Sequence, residues 1–162
     1  MKPIRIIVAV AAVIVALDQW SKHWAVGSLS DGHIVDVLST LRFKLSFNSG
    51  MAFSTGSGSG PFIGVLAIGV TIGMIVWQLR MVRAGQSSRF MLVVTGMIVG
   101  GAWGNVVDRL FRGEAWLRGS VVDFIDLQWW PVFNIADSAV TVGVILMFLA
   151  SVFARKPEVS DV

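Results

Sequence analysis

Val132-Phe133-Asn134-Ile135-Ala136-Asp137-Ser138-Ala139-Val140-Thr141-Val142-Gly143-Val144-Ile145-Leu146-Met147-Phe148-Leu149, continuing apolar to Phe153, decides what kind of chain this is. About 20 such residues cross the ~30 Å of a bilayer's hydrocarbon core as a helix. Asp137 stands at the head of this run, and a carboxylate in hydrocarbon costs at least a few kcal/mol, so one that is retained usually does chemistry or transport. Upstream, Asp123 lies in Val121-Val122-Asp123-Phe124. These two acids are the candidate reactive centre.

Three more segments have the same character, so spans are predicted at residues 4–24, 61–79, 89–110 and 132–153. The expectation is a single all-α integral-membrane domain over residues 1–162, four transmembrane helices with a small extramembrane β region at about 33–53 and a second outer loop. Composition agrees: 55% of the 162 residues are hydrophobic and 14% charged, well below the roughly 25% charged of a soluble domain. The absence of cysteine excludes disulfides, thiolate metal sites and a cysteine nucleophile. His23 and His33 have no second ligand at metal spacing, so no metal and no cofactor is expected. The net charge of +3 forms no basic stripe, which argues against nucleic acid as a partner.

An even number of spans puts both ends on one side. Lys2, Arg5, Arg80, Arg83, Arg89, Arg155 and Lys156 fall there, seven positive residues against six on the other side. The seven lie in short segments, the six in longer loops mixed with acids, so the termini are read as cytoplasmic. Trp20, Trp24, Trp116, Trp129 and Trp130 gather at the opposite interface. Lys2, Arg5 and the apolar stretch 6–17 also resemble a secretory signal peptide. No convincing small-residue cleavage site precedes a soluble domain, so an uncleaved helix is the preferred reading.

In the first outer loop, Arg42-Phe43-Lys44-Leu45-Ser46-Phe47 alternates polar and apolar with the period of a strand. Ile34-Val35-Asp36-Val37-Leu38 offers a partner, and Phe43, Leu45 and Phe47 are expected to face lipid. Ser54-Thr55-Gly56-Ser57-Gly58-Ser59-Gly60 reads as a linker. The second outer loop ends on Pro131, a good first residue for a helix. The short basic inner loop, residues 81–88, carries no readable chemistry.

On the third span, Gly96, Gly100 and Gly104 repeat every four residues and leave a smooth stripe for another helix, including a substrate helix. Asn105, Asp108 and Arg109 follow at its outer end, with Asp108 and Arg112 spaced for an ion pair. Asp18 and Lys22, four apart on the first span, form a second possible pair. At ~1.5 Å per residue, Asp137 falls about 9 Å inside the outer end of its span. All the intramembrane polar groups therefore converge on one leaflet. A transporter needs a site near the midplane reachable from both sides, and the inner half here is uninterrupted hydrocarbon. A phosphatidyl-transferring enzyme needs an array of metal-binding acids that Asp108 lacks, and a purely structural membrane protein would tolerate loss of either acid. An enzyme acting on a membrane-embedded substrate fits best.

Five blocks carry a resemblance over nearly the whole chain. They are Asp18-Gln19-Trp20-Ser21-Lys22, Asn48-Ser49-Gly50-Met51-Ala52-Phe53, Gly100-Gly101-Ala102-Trp103-Gly104-Asn105-Val106-Val107-Asp108-Arg109, Val121-Val122-Asp123-Phe124 and Phe133-Asn134-Ile135-Ala136-Asp137. In this order and at these places relative to four spans, the chain resembles the lipoprotein signal peptidases (signal peptidase II), aspartyl peptidases of the bacterial inner membrane. It departs at Ser21, Met51 and Trp103, where threonine, alanine and leucine are common, and no departure removes a polar group.

The resemblance implies that Asp123 and Asp137 are the catalytic dyad, at the periplasmic face. Two acids within hydrogen-bond reach in a desolvated site share one proton, so one can activate water while the other assists the scissile carbonyl. By the same resemblance Asn105, Arg109 and Asn134 line the pocket, and Asn48 belongs to a sheet region that closes over the substrate. Arg109 is expected to hold peptide carbonyls or to pair with Asp108. Asp18, Lys22 and Asp108 are expected to be supporting residues. The implied substrate is a prolipoprotein cut before a diacylglyceryl-modified cysteine, handled by a monomer among membrane lipids.

Overall fold

Four helices and three short strands build the computed structural model, which describes residues 2–50 and 60–153. In chain order these are α1 (Pro3–Leu29), β1 (Val35–Asp36), β2 (Arg42–Asn48), α2 (Gly60–Arg83), α3 (Arg89–Phe111), β3 (Val121–Asp126) and α4 (Ile135–Phe153). All four helices are long and apolar enough to cross a membrane. The linker 54–59, the Met51-Ala52-Phe53 half of the second block, and Arg155 and Lys156 lie outside the described residues.

Helix α3 is the pole of the bundle. Of its most apolar 18-residue window 56% is buried, against 11–17% in the other helices, so the others gather around it. Ser88 starts α3 by accepting the Met91 N–H on its side-chain oxygen at 3.2 Å, satisfying a donor that the first turn leaves free. The glycine stripe then decides the packing. A Cβ at Gly96 would stand 2.7 Å from Val10 Cβ, and one at Gly100 would stand 2.8 Å from Ala11 Cα. The stripe is thus filled by the chain's own α1 and is not left open for a substrate helix. Gly101, one position round, lets α4 approach so closely that a Cβ would sit 2.4 Å from the Ala136 carbonyl oxygen. Helix α2 packs on α3 and only marginally on α1.

The sheet is antiparallel in the order β1-β2-β3. Strand β3 is an addition to the sequence reading, which placed Asp123 in an outer loop. The run Val121-Val122-Asp123-Phe124-Ile125-Asp126 pairs with β2 and is buried over its first four residues. Register holds the more consequential detail. Phe43 pairs with Ile125, but Ser46 pairs with Asp123, so β2 contains one extra residue between them. Side chains alternate every residue, so one extra residue flips everything beyond it. Without the bulge Phe47 would share a face with Asp123. With it, Asn48 does.

Phe43 and Leu45 do not face lipid as expected. They pack with Ala25, Leu29 and Phe124 over the outer end of α1. The Phe43 ring lies 5.4 Å from Trp24 and 6.1 Å from Phe124, centroid to centroid. Phe47 alone of the three stays exposed. This small aromatic core fastens the sheet to the bundle.

Helix α4 begins at Ile135, later than the expected 132. The reason is local: Phe133 exchanges backbone hydrogen bonds with Ile125, at 3.0 and 2.8 Å, holding the chain extended up to Asn134. Asp137 therefore lies in the first turn of α4, not ~9 Å along it.

Candidate active site

The start of α4 is a reciprocal cap. Asn134 Oδ1 accepts the Asp137 N–H at 2.9 Å, and Asp137 Oδ2 accepts the Asn134 N–H at 3.2 Å. This is the capping-box arrangement with aspartate in the acidic position. A third orphan donor, the Ala136 N–H, is taken by Asp18 Oδ1 at 3.0 Å. Asp18 on α1 thus helps fix the turn that carries Asp137. The predicted reactive acid is also a structural part of its own helix terminus.

From that turn the hydrogen bonds run in two directions. Asn134 Nδ2 donates to Asp123 Oδ1 at 2.7 Å and to Asn105 Oδ1 at 3.1 Å. Asn105 Nδ2 donates to Asp137 Oδ1 at 2.7 Å. Asn48 Nδ2, brought onto this face by the bulge, donates to Asp123 Oδ2 at 3.2 Å. Asp123 and Asp137 are therefore joined through Asn134, and each has an amide donor on both oxygens or a backbone donor in its place.

Behind Asn105 lies a buried ionic cluster. Lys22 Nζ is 2.8 Å from Asp18 Oδ2 and 2.8 Å from Asp108 Oδ2, and it donates to Asn105 Oδ1 at 2.9 Å. Lys22, Asp18 and Asp108 are fully buried. Arg112 closes the cluster on Asp108 Oδ1 at 2.8 Å, so the predicted α3 ion pair exists. The Val122 N–H also donates to Asp108, at 3.1 Å, tying β3 to α3 beside Asp123. Gln19, which the sequence reading did not single out, bridges Asp18, Asp108 and the Gly104 carbonyl, each at 3.1 Å. Its only sequence signal was its place inside the first block.

Arg109 departs from one expectation. Among the described residues it does not pair with Asp108, and its one hydrogen bond is a long 3.4 Å contact to the Asn105 carbonyl. Its Nε has no partner among the described residues, although the residue is only 6% exposed. A buried, under-bonded guanidinium is costly unless something else binds it. Arg109 lines a cavity of about 360 Å³ together with Asn48, Asn105, Asp123 and Asp137. Leu117, held in a left-handed backbone (φ 55°), is fully buried against α2 at Gly60 and at Gly64, a residue of the cavity lining.

Asp123 carries a strong electrostatic signature. Burial in the β3–β2 face, reinforced by repulsion from Asp137, pushes its carboxyl up to about 7, against the opposing hydrogen bonds from Asn48 and Asn134. Five of the nine residues predicted for the site (Asn48, Asn105, Arg109, Asp123 and Asp137) line the cavity, Asn134 lies behind them bonded to Asp123 and Asn105, and Lys22 reaches Asn105 from the buried cluster. Asp18 and Asp108 stand one layer behind. Among the described residues no group of three or more histidine, aspartate, glutamate or cysteine side chains is placed to hold a metal ion.

A family model described as signal peptidase (SPase) II matches residues 10–153. The lipoprotein signal peptidase of Mycobacterium leprae is 43% identical over 151 residues, which cover 93% of this chain and 73% of that one. The lipoprotein signal peptidase of Mycobacterium tuberculosis is 41% identical, covering 93% and 72%. A solved structure described as a bacterial membrane enzyme, determined by the in meso method at 1.9 Å resolution, superposes with a TM-score of 0.76. It is 30% identical, over 92% of this chain and 94% of the other.

Proposed function

The chain belongs to the signal peptidase II family, a peptidase of the bacterial inner membrane, and on that premise we propose that it is an aspartic endopeptidase. Its substrate is a prolipoprotein, cut before the diacylglyceryl-modified cysteine by water activated between Asp123 and Asp137. The observation that carries this reading is the pair itself: two carboxylates on one cavity, linked through a single asparagine, one of them raised to about 7.

The roles follow from the surroundings. Asp137 sits at the positive end of α4, where a negative charge is favoured, and both its oxygens accept N–H donors. It is the base that takes a proton from water. Asp123 holds its proton up to about pH 7 and hydrogen-bonds the scissile carbonyl oxygen, stabilising charge as the tetrahedral intermediate forms. Proton transfer from the dyad to the departing amine completes the cleavage. Arg109, with donors to spare inside the cavity, holds the carbonyls of the bound peptide. All of these groups come from one chain, so a monomer suffices.

The sheet, the dyad and the Trp20/Trp24/Trp129/Trp130 girdle occupy one end of the bundle, and Arg83 and Arg89 mark the other. By the positive-inside rule the termini are cytoplasmic and the site lies near the periplasmic face. Purified protein should cleave a synthetic diacylglyceryl-modified precursor in the presence of chelator. Asp123→Asn and Asp137→Asn should each lower the rate by about 10²–10⁴-fold, the range for loss of a general acid or base. Processing at the wild-type rate by either variant would end the aspartic reading.

A further inference from the structure

Helices α2 and α4 start at the end of the bundle that carries the sheet, and α3 finishes there. On each helix one lining residue of the active-site cavity lies farthest from that end: Ala67, Ala102 and Thr141. They form the cavity's floor. Two of them carry only a methyl group. Thr141 carries a hydroxyl, the one hydroxyl among the described residues that line the cavity.

That hydroxyl is placed unusually for a membrane helix. Serine and threonine there commonly satisfy themselves by bonding the carbonyl one turn back. Thr95 does so with Met91 at 2.8 Å, and Ser138 with Asn134 at 2.9 Å. Thr141 is exposed, and among the described residues its Oγ1 donates to nothing, although the Asp137 carbonyl stands one turn back. A hydroxyl without a partner is costly away from water, so this one is placed for something that enters the cavity.

We infer that Thr141 is a substrate-binding residue whose hydroxyl donates to the backbone carbonyl two residues before the scissile one. The inference rests on the peptidase reading and adds how the unwound end of the signal segment is held. A peptide bond inside a helix has its carbonyl tied to an N–H four residues on, so the segment must unwind for the dyad to act. Unwinding strands carbonyls below the headgroups, where water does not replace the lost bonds. At the level of the dyad, Asn48 and Asn105 point their Nδ2 groups at Asp123 and Asp137. Farther in, the side chains of Ile63, Ala67, Ala102 and Val140 offer no donor. Thr141 is the donor at that depth.

Register agrees. Thr141 follows Asp137 by four residues on α4, ~6 Å at ~1.5 Å per residue. An extended chain advances ~3.3 Å per residue, so two residues cover about the same distance. Alternate carbonyls of an extended chain point to the same side. When the scissile carbonyl faces the dyad, the second carbonyl upstream therefore faces the same wall. The signal segment lies toward the bilayer interior from the cut, and Thr141 lies on that side of Asp137.

Thr141→Val keeps the shape of the side chain and removes the donor, at an exposed position where the fold does not depend on it. In cleavage of a diacylglyceryl precursor it should raise KM about tenfold with kcat within about twofold, the loss of one hydrogen bond made equally before and during the reaction. Thr141→Ser should rescue, returning KM to within about twofold of wild type. A second precursor carries a thioamide in place of the amide two residues before the cut, sulfur being a poorer acceptor than oxygen. It should raise KM several-fold for wild type but by less than about twofold for Thr141→Val, whose partner group is already gone. An unaltered KM in Thr141→Val, no rescue by serine, or an equal thioamide penalty in both proteins would each overturn the proposal alone. A wild type that cleaves neither precursor would end the peptidase reading, and this contact with it.

Discussion

Asn48 is the residue to change first, because it tests the electrostatics of the site without touching a carboxylate. Its Nδ2 donates to Asp123 Oδ2 at 3.2 Å and opposes the burial that pushes this acid up to about 7. The donor favours the ionised form, so Asn48→Ala must raise the Asp123 value further. A hydrogen bond to a charged group is worth about 1.5–3 kcal/mol, and about 1.4 kcal/mol corresponds to one pKa unit. The 3.2 Å separation and the open side of the cavity favour the lower end, a rise of about one unit. If protonated Asp123 is the active form, kcat/KM falls as pH climbs through its value. The alkaline limb should stand near 7 in the wild type and near 8 in Asn48→Ala. The assay is kcat/KM for a diacylglyceryl precursor in detergent, from about pH 5 to about pH 9. A limb that stays in place, or moves to lower pH, refutes the assignment of the proton to Asp123.

Three further outcomes follow from the same geometry. Lys22→Met leaves Asp18 and Asp108 buried without their shared cation and should cost about 3–5 kcal/mol, read as a large drop in melting temperature in detergent; melting within a degree or two of wild type would refute the cluster's role. Gly101→Ala drives a methyl group toward the Ala136 carbonyl oxygen, 2.4 Å away, and should destabilise by about 1–3 kcal/mol with loss of activity, since α4 carries Asp137; full activity would show that the two helices are not in close contact. Asp123→Asn should become progressively more stable relative to wild type as pH rises. The folded value of about 7 lies above the ordinary 3.8, so the wild type has its full stability below that lower value and loses it between the two. A stability difference that is flat across this window would contradict the raised value.

Much of the architecture was legible because hydrocarbon imposes simple rules: apolar length gave four spans, and carboxylates in such surroundings gave Asp123 and Asp137. What stayed hidden depended on register and on distant partners. Alternation in residues 42–47 correctly indicated β2, but nothing local to those residues announces the bulge that turns Asn48 toward Asp123. The Val121-Val122-Asp123-Phe124 run has the β-branched and aromatic content of a strand; its pairing with a segment some 75 residues earlier is what a linear reading lacks. Similarly, Pro131 looked like a helix start, yet Phe133 bonds to Ile125 first and delays α4 to Ile135. The α3 glycines showed that a helix would pack there, but only three dimensions identify α1 as that helix. The inner loop, unreadable in sequence, lines a cavity of about 670 Å³ through Gln86 and Ser88.

The Lys22 cluster also bears on how such a chain is made. Ribosomes deliver α1 to the bilayer before α3 exists, and Asp108 follows Lys22 by 86 residues, on the order of ten seconds of synthesis at about 5–20 residues per second. Lys22 does not wait alone, because Asp18 lies one turn back on the same helix at 2.8 Å. The first helix thus arrives with its ammonium already neutralised, and the later acid completes the assembly without having to rescue a stranded charge.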